Sequence, residues 1–119
     1  MTEIELIQGD DSPVYKFQRK DKHGNVITTL PKEMWITFKQ SCCHEECLFQ
    51  KKLSSGEITF DNTDNYYKFQ ILSDDTSSIP YGVYGFDIAI RNEQNRKITL
   101  LPEGQLIVVK HYTKKCNEV

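Results

Sequence analysis

The densest run of reactive side chains is Ser41-Cys42-Cys43-His44-Glu45-Glu46-Cys47. Thiolate and imidazole are preferred zinc ligands, and Cys42, Cys43, His44 and Cys47 could together close a tetrahedral structural site. The spacing departs from the usual zinc hairpin, which separates its ligands into two pairs. Adjacent Cys42 and Cys43 point apart on extended chain, and Cys116 completes a site only if the C-terminal segment folds back. Two other readings compete: a reduced, exposed polar loop, or a Cys43–Cys47 disulfide formed under oxidising conditions. Nucleophilic chemistry would pair a thiol such as Cys42 with His23, His44 or His111 as base. It also needs a third group to orient that base and donors for an oxyanion. The sequence suggests neither, and no helix follows the loop to lower a thiol pKa. His23 falls in a turn and His111 at the end of the last strand, both as solvated surface residues. The expectation is a protein that is not an enzyme, with no catalytic residues. Structural zinc is the one cofactor it could take.

The carboxylates Asp10-Asp11, Asp61 with Asp64, and Asp74-Asp75 supply oxygen ligands of the kind calcium takes. None repeats at every other position as a calcium loop does. Turn and cap duty accounts for them, because Asp bonds the neighbouring backbone there. A glycosidase pair would need a pocket, and no long loop is present to form one. Trp35, Tyr66 and Tyr81 are the candidate partner contacts. Trp35 falls on the outward parity of its strand, to be left exposed there or covered by a sheet edge or loop. Tyr81-Gly82 also suits the turn before the next strand.

The elements that position these residues are read from alternation of period two. Tyr15 and Phe17 share one face, as do Met34, Ile36 and Phe38. Tyr84, Phe86, Ile88 and Ile90 make the longest clean alternation. Further short strands are expected at Leu48–Leu53, Ile58–Phe60, Tyr67–Ile71, Lys97–Leu100 and Gly104–His111. The last is apolar on both faces, as a central or tightly covered strand would be. Asp21-Lys22-His23-Gly24-Asn25 reads as a hairpin turn with positive φ at Gly24 and Asn25. Asp74–Ile79 is the only helical candidate, one turn stopped by Pro80. Chain length fits a single domain, residues 1–119. The fold expected is all-β: an immunoglobulin-like two-layer antiparallel β-sandwich of about eight short strands.

Composition narrows the partners. The formal charge is −2, with acids and bases interspersed, so no basic stripe exists to neutralise phosphates and nucleic acid is not an expected partner. No apolar stretch approaches the roughly 20 residues of a membrane span, and no signal-peptide pattern opens the chain. The expectation is synthesis in the cytoplasm, with the four cysteines reduced.

Several stretches taken together carry a resemblance. Gln8-Gly9-Asp10-Asp11 leads to an aromatic-alternating strand and Lys20-Asp21-Lys22-His23-Gly24-Asn25-Val26-Ile27. Trp35-Ile36-Thr37-Phe38-Lys39 is followed by Leu48-Phe49-Gln50-Lys51. Then come Asp75-Thr76, Tyr81-Gly82, Phe86-Asp87-Ile88, Ile98-Thr99-Leu100 and Gly104-Gln105-Leu106-Ile107-Val108. In this order they resemble small immunoglobulin-like domains of tailed phages and prophages of Gram-positive bacteria. They are similar in particular to the amino-terminal domain of upper baseplate proteins. The resemblance spans roughly residues 6 to 113. It implies a virion structural or assembly protein of baseplate, tail or head, made in the bacterial host cytoplasm and then carried in the virion. Its partners would be other particle proteins or itself, as a homo-oligomer. The cysteine loop stands where this family usually has a polar loop. The chain also stops after one domain where baseplate proteins continue, which keeps head, neck and tail accessory roles alongside the baseplate.

Overall fold

Strand residues of one parity are apolar and those of the other polar, so each strand can bury one face only and two sheets must close on each other. The computed structural model describes residues 2–40 and 47–109 and shows this arrangement. The strands are β1 (Thr2–Ile7), β2 (Tyr15–Phe17), β3 (Glu33–Lys39), β4 (Cys47–Lys52), β5 (Ile58–Asp61), β6 (Tyr66–Phe69), β7 (Gly82–Arg91) and β8 (Lys97–Val109). One helical turn, α1 (Ser73–Thr76), lies between β6 and β7. A five-stranded sheet has the order β1-β8-β7-β3-β4, and a three-stranded sheet the order β2-β6-β5. The mostly-β, two-sheet expectation therefore holds. Among the described residues no helix is long and apolar enough to cross a membrane.

The inner parity of the large sheet is Met34, Ile36 and Phe38 of β3 and Tyr84, Phe86, Ile88 and Ile90 of β7, all buried as their alternation requires. Tyr67, Phe69 and Ile58 face them from the small sheet. Aromatic rings tie neighbouring strands together within each sheet: Phe38 stacks on Phe49 at 4.3 Å between centroids, and Tyr67 lies 4.8 Å from Phe60. Gly104 pairs with Phe86, whose ring lies so close over it that a Cβ there would come within 2.5 Å. Only glycine fits beneath that ring.

Three expectations change. The sandwich is not wholly antiparallel, because β1 runs parallel to β8, with Ile4 opposite Leu106 and Leu6 opposite Val108. A parallel pair needs a long connection, and β1 and β8 stand at opposite ends of the chain. Lys97–Leu100 and the strand after Gly104 are one continuous element, β8, which absorbs its irregularity as register shifts against β7 near Phe86–Ala89. It is central in the sheet from Gly104 onward, as expected, but covered on one face only: Leu106 and Val108 are buried while Ile107 and Val109 are half-buried. The turn at Asp21 is closed by a single bridge, Lys20 to Val26, and by the Asp21 carboxylate, which accepts from the backbone of His23 and Asn25. Gly24 takes a φ of 85°, and Asn25 has no need of one.

Among the described residues one buried side chain carries a charge. Lys51 lies on the inner face of β4 opposite Ile36 and is 4% exposed. Its ammonium donates to Asp75 Oδ2 at 2.6 Å, and the same oxygen caps α1 by accepting from Leu72 N–H at 2.8 Å. The pair thus fastens α1 to the sheet. Removing the acid alone leaves a charge in the interior, which costs far more than losing the pair as a whole. Asp75→Ala is expected to lower stability by about 3–5 kcal/mol in urea titrations, and Lys51→Met by much less. Equal losses in the two variants would contradict this account.

Candidate functional site

The cysteine loop is mostly out of view. Cys42, Cys43 and His44 lie outside the described residues, as do His111 and Cys116. Cys47 begins β4 opposite Lys39 and is exposed. Partial desolvation pushes its thiol pKa up; Lys39 pulls it down, and Asp87 adds to the rise. An activated thiol needs the opposite shift. His23 sits in the Asp21 turn, and its backbone N–H rather than its ring makes the hydrogen bond there. Among the described residues no three His, Cys, Asp or Glu side chains converge as a metal site would require.

The three aromatics do not share a surface. Trp35 points from the outer face of the large sheet, between Ala89 and Lys52, and is half-buried. The Arg91 guanidinium lies 5.9 Å from its ring centroid, so a neighbouring side chain covers it in part. Tyr66 takes the outward parity of β6, because Tyr67 points into the core, and Lys16 Nζ lies 4.8 Å from its ring. That is the opposite outer face of the sandwich from Trp35. Tyr81 is 48% exposed just before β7. The turn there is locked by Tyr84, whose hydroxyl donates to Pro80 O at 2.6 Å.

Four of the six aspartates singled out, Asp11, Asp61, Asp64 and Asp75, are engaged in turns and caps. Asp11 accepts from Ser73 N–H, Asp61 from Thr63 N–H and Asp64 from Tyr66 N–H. Lys68 bridges Asp61 and Asp64 at 2.9 and 3.2 Å. These contacts hold the β5–β6 connection in register.

Among the described residues two apolar surfaces stand open. The first is a cleft of about 650 Å³ between the sheets. Its floor is Phe86, Ile88 and Ile90 of β7 with Ile98, Leu100 and Leu101 of β8, and Tyr15, Phe17 and Phe69 wall it from the small sheet. Lys16, Arg19 and Lys20 stand along its β2 side and Glu3 at its β1 side. This volume lies within the range of ordinary ligand sites. The second surface is a corner of the large sheet's outer face. There Ile107 lies between Glu5 and Val83, and Ile7 lies beside Val109, with Tyr81 at the next position along. Ile7, Tyr81 and Val83 expose 37%, 48% and 57% of their surface. Neither surface is evident in the sequence, although Ile98 and Leu100 on the inner side and Ile107 and Val109 on the outer were visible there as apolar residues.

The Lys68 bridge and the Thr63 N–H hold the Asp61 carboxyl down to about 2, from an ordinary 3.8. A depressed folded pKa stabilises the fold above the ordinary carboxylate range, and that stabilisation is lost as pH falls toward about 2. In an NMR titration of the Asp61 carboxyl, Lys68→Met should move the midpoint up toward 3.8, and an unmoved midpoint would contradict the assignment. Matched against family models the chain fits none, and the search of curated proteins finds no match.

Proposed function

We propose that this chain is a non-catalytic, immunoglobulin-like protein-contact module serving as a structural or assembly component of a tailed-phage particle. The observation that carries the contact reading is the apolar corner formed by Ile7, Tyr81, Val83, Ile107 and Val109. Scattered apolar side chains on a surface need no explanation, but a contiguous group on a flat sheet face favours being covered. Fully burying an exposed aliphatic side chain is worth roughly 1.5–3 kcal/mol, and Ile7 and Val83, already part-covered, would each gain a corresponding fraction of it.

Further support comes from what the polar residues do. The acids with resolved partners are used in turns, caps and ion pairs, and the Cys47 thiol is shifted away from the reactive form. The particle assignment rests on the resemblance of the sequence, and the corner gives it a surface through which to act. The partner is first of all a second copy. Two flat apolar patches meet face to face across a twofold axis, with Glu5 at the rim of each.

Light scattering after size exclusion, on tag-free protein in reducing buffer, should show a defined oligomer. Val83→Glu places a charge at the most exposed of the five positions, so it should shift the protein to monomer with an unchanged far-UV spectrum. A wild type that stays monomeric at every concentration would overturn self-association through this corner.

A further inference from the structure

The cleft carries an inference of its own, because strand edges bound it on both sides. β2 is an edge strand of the small sheet and pairs only with β6. Across the cleft, β8 pairs with β1 from Gly104 to Val109. Among the described residues no strand pairs with Lys97–Leu101 on that side. β8 therefore presents an unpaired backbone edge directly beside the exposed Ile98 and Leu100, which are 42% and 38% exposed.

An open edge beside an open apolar floor is what an added strand requires. Main-chain hydrogen bonds supply affinity, and alternate side chains fill the floor. Pro102 ends the usable edge, since it has no N–H to pair. That leaves five residues from Lys97 to Leu101, regular from Lys97 to Thr99 and interrupted by the register shift at Leu100.

The charge around the cleft selects the incoming segment. Arg19 and Lys20 stand against the single Glu3, the Lys16 ammonium being turned to the outer face over Tyr66. Arg19 donates from Nη1 to Thr29 O at 3.1 Å, while its buried Nε has no acceptor. What the cleft side gains from Arg19 is the positive charge of its guanidinium, which favours an acidic ligand group.

We infer that the cleft accepts an extended segment of another polypeptide, alternating apolar and acidic residues, laid along Lys97–Leu101 as an additional strand. This rests on the protein-contact reading but uses the opposite face of the large sheet from the apolar corner. A single-chain amphiphile would fill the volume yet leave both backbone edges unpaired. The peptide is the better match for that reason.

The test uses the full-length protein, followed by amide NMR, with a capped hexapeptide alternating Ile and Glu as probe. Saturable shifts are expected along Lys97–Glu103 and Tyr15–Lys20. A peptide alternating Ile and Lys should bind about tenfold or more weakly, because like charges meet across the rim. Leu100→Glu, at a position already part-exposed, should abolish the shifts while keeping the dispersed spectrum of a folded chain. No saturable shift with the acidic peptide, or equal binding of the two peptides, would overturn the inference. Tighter binding of dodecanoate than of either peptide would also overturn it, in favour of a small-amphiphile site. Val83→Glu run in parallel separates the two readings. Failed peptide binding with intact self-association defeats only the cleft, and lost self-association with intact peptide binding defeats only the corner.

Discussion

The packing of Tyr67, Phe69 and Ile58 onto the inner faces of β3 and β7 is the contact on which the rest of the molecule depends. Met34, Ile36, Phe38, Ile90 and Leu106 are completely removed from water by it, and each such side chain stabilises the fold by about 1.5–3 kcal/mol. The two faces differ in width, because five strands meet three. Three strands cannot roof five, and the shortfall falls at the β2 side over Ile98, Leu100 and Leu101. The cleft is therefore a consequence of strand count.

Polar contacts decide how the small sheet sits on the large one. Ser12 joins the chain before β2 to the end of β6, exchanging backbone and side-chain hydrogen bonds with Ile71 and Gln70. Asp11 receives the Ser73 N–H, and Gln8 donates to Ile79 O, so both flanks of α1 are tied to the segment after β1. Lys51 and Asp75 fasten the same turn from the other sheet. These ties explain why Ser12 and Thr76, both polar, are among the buried residues: each is the partner of a backbone group that would otherwise be unsatisfied.

Much of this was legible in the sequence, and the limits have physical causes. The inward parity of Met34-Ile36-Phe38 and of Tyr84 through Ile90 follows from period two, and the structure buries all seven. The single helical turn was visible in Asp74-Asp75 and Pro80. Alternation fixes which face a residue takes but not which strand lies beside it. The parallel β1–β8 pair and the unequal sheets were therefore hidden. Lys97–Leu100 and Gly104–His111 were expected as two strands; the register shifts against β7 let one strand pass through Pro102-Glu103. Nothing in the sequence marks Lys51 as buried, because its partner, Asp75, is distant in sequence. Trp35 was assigned the correct face, and its cover, Arg91, comes from two strand positions beyond Ala89, its neighbour on β7. Cys42, Cys43 and His44 drew attention by composition alone and fall outside the described residues.

The central claim is that β8 is paired on both sides in its second half and on one side in its first. Residue-resolved hydrogen exchange of the full-length protein tests this directly. Slow exchange is expected at successive amides from Gln105 to Val109, where β1 and β7 both bond the strand. From Ile98 to Leu101 protection should fall only on the amides that face β7, with strict alternation broken at Leu100 by the register shift and the remaining amides exchanging as solvent-exposed groups. Uniform protection along the whole of β8 would mean that the edge is already covered, and the open cleft with it would have to be abandoned.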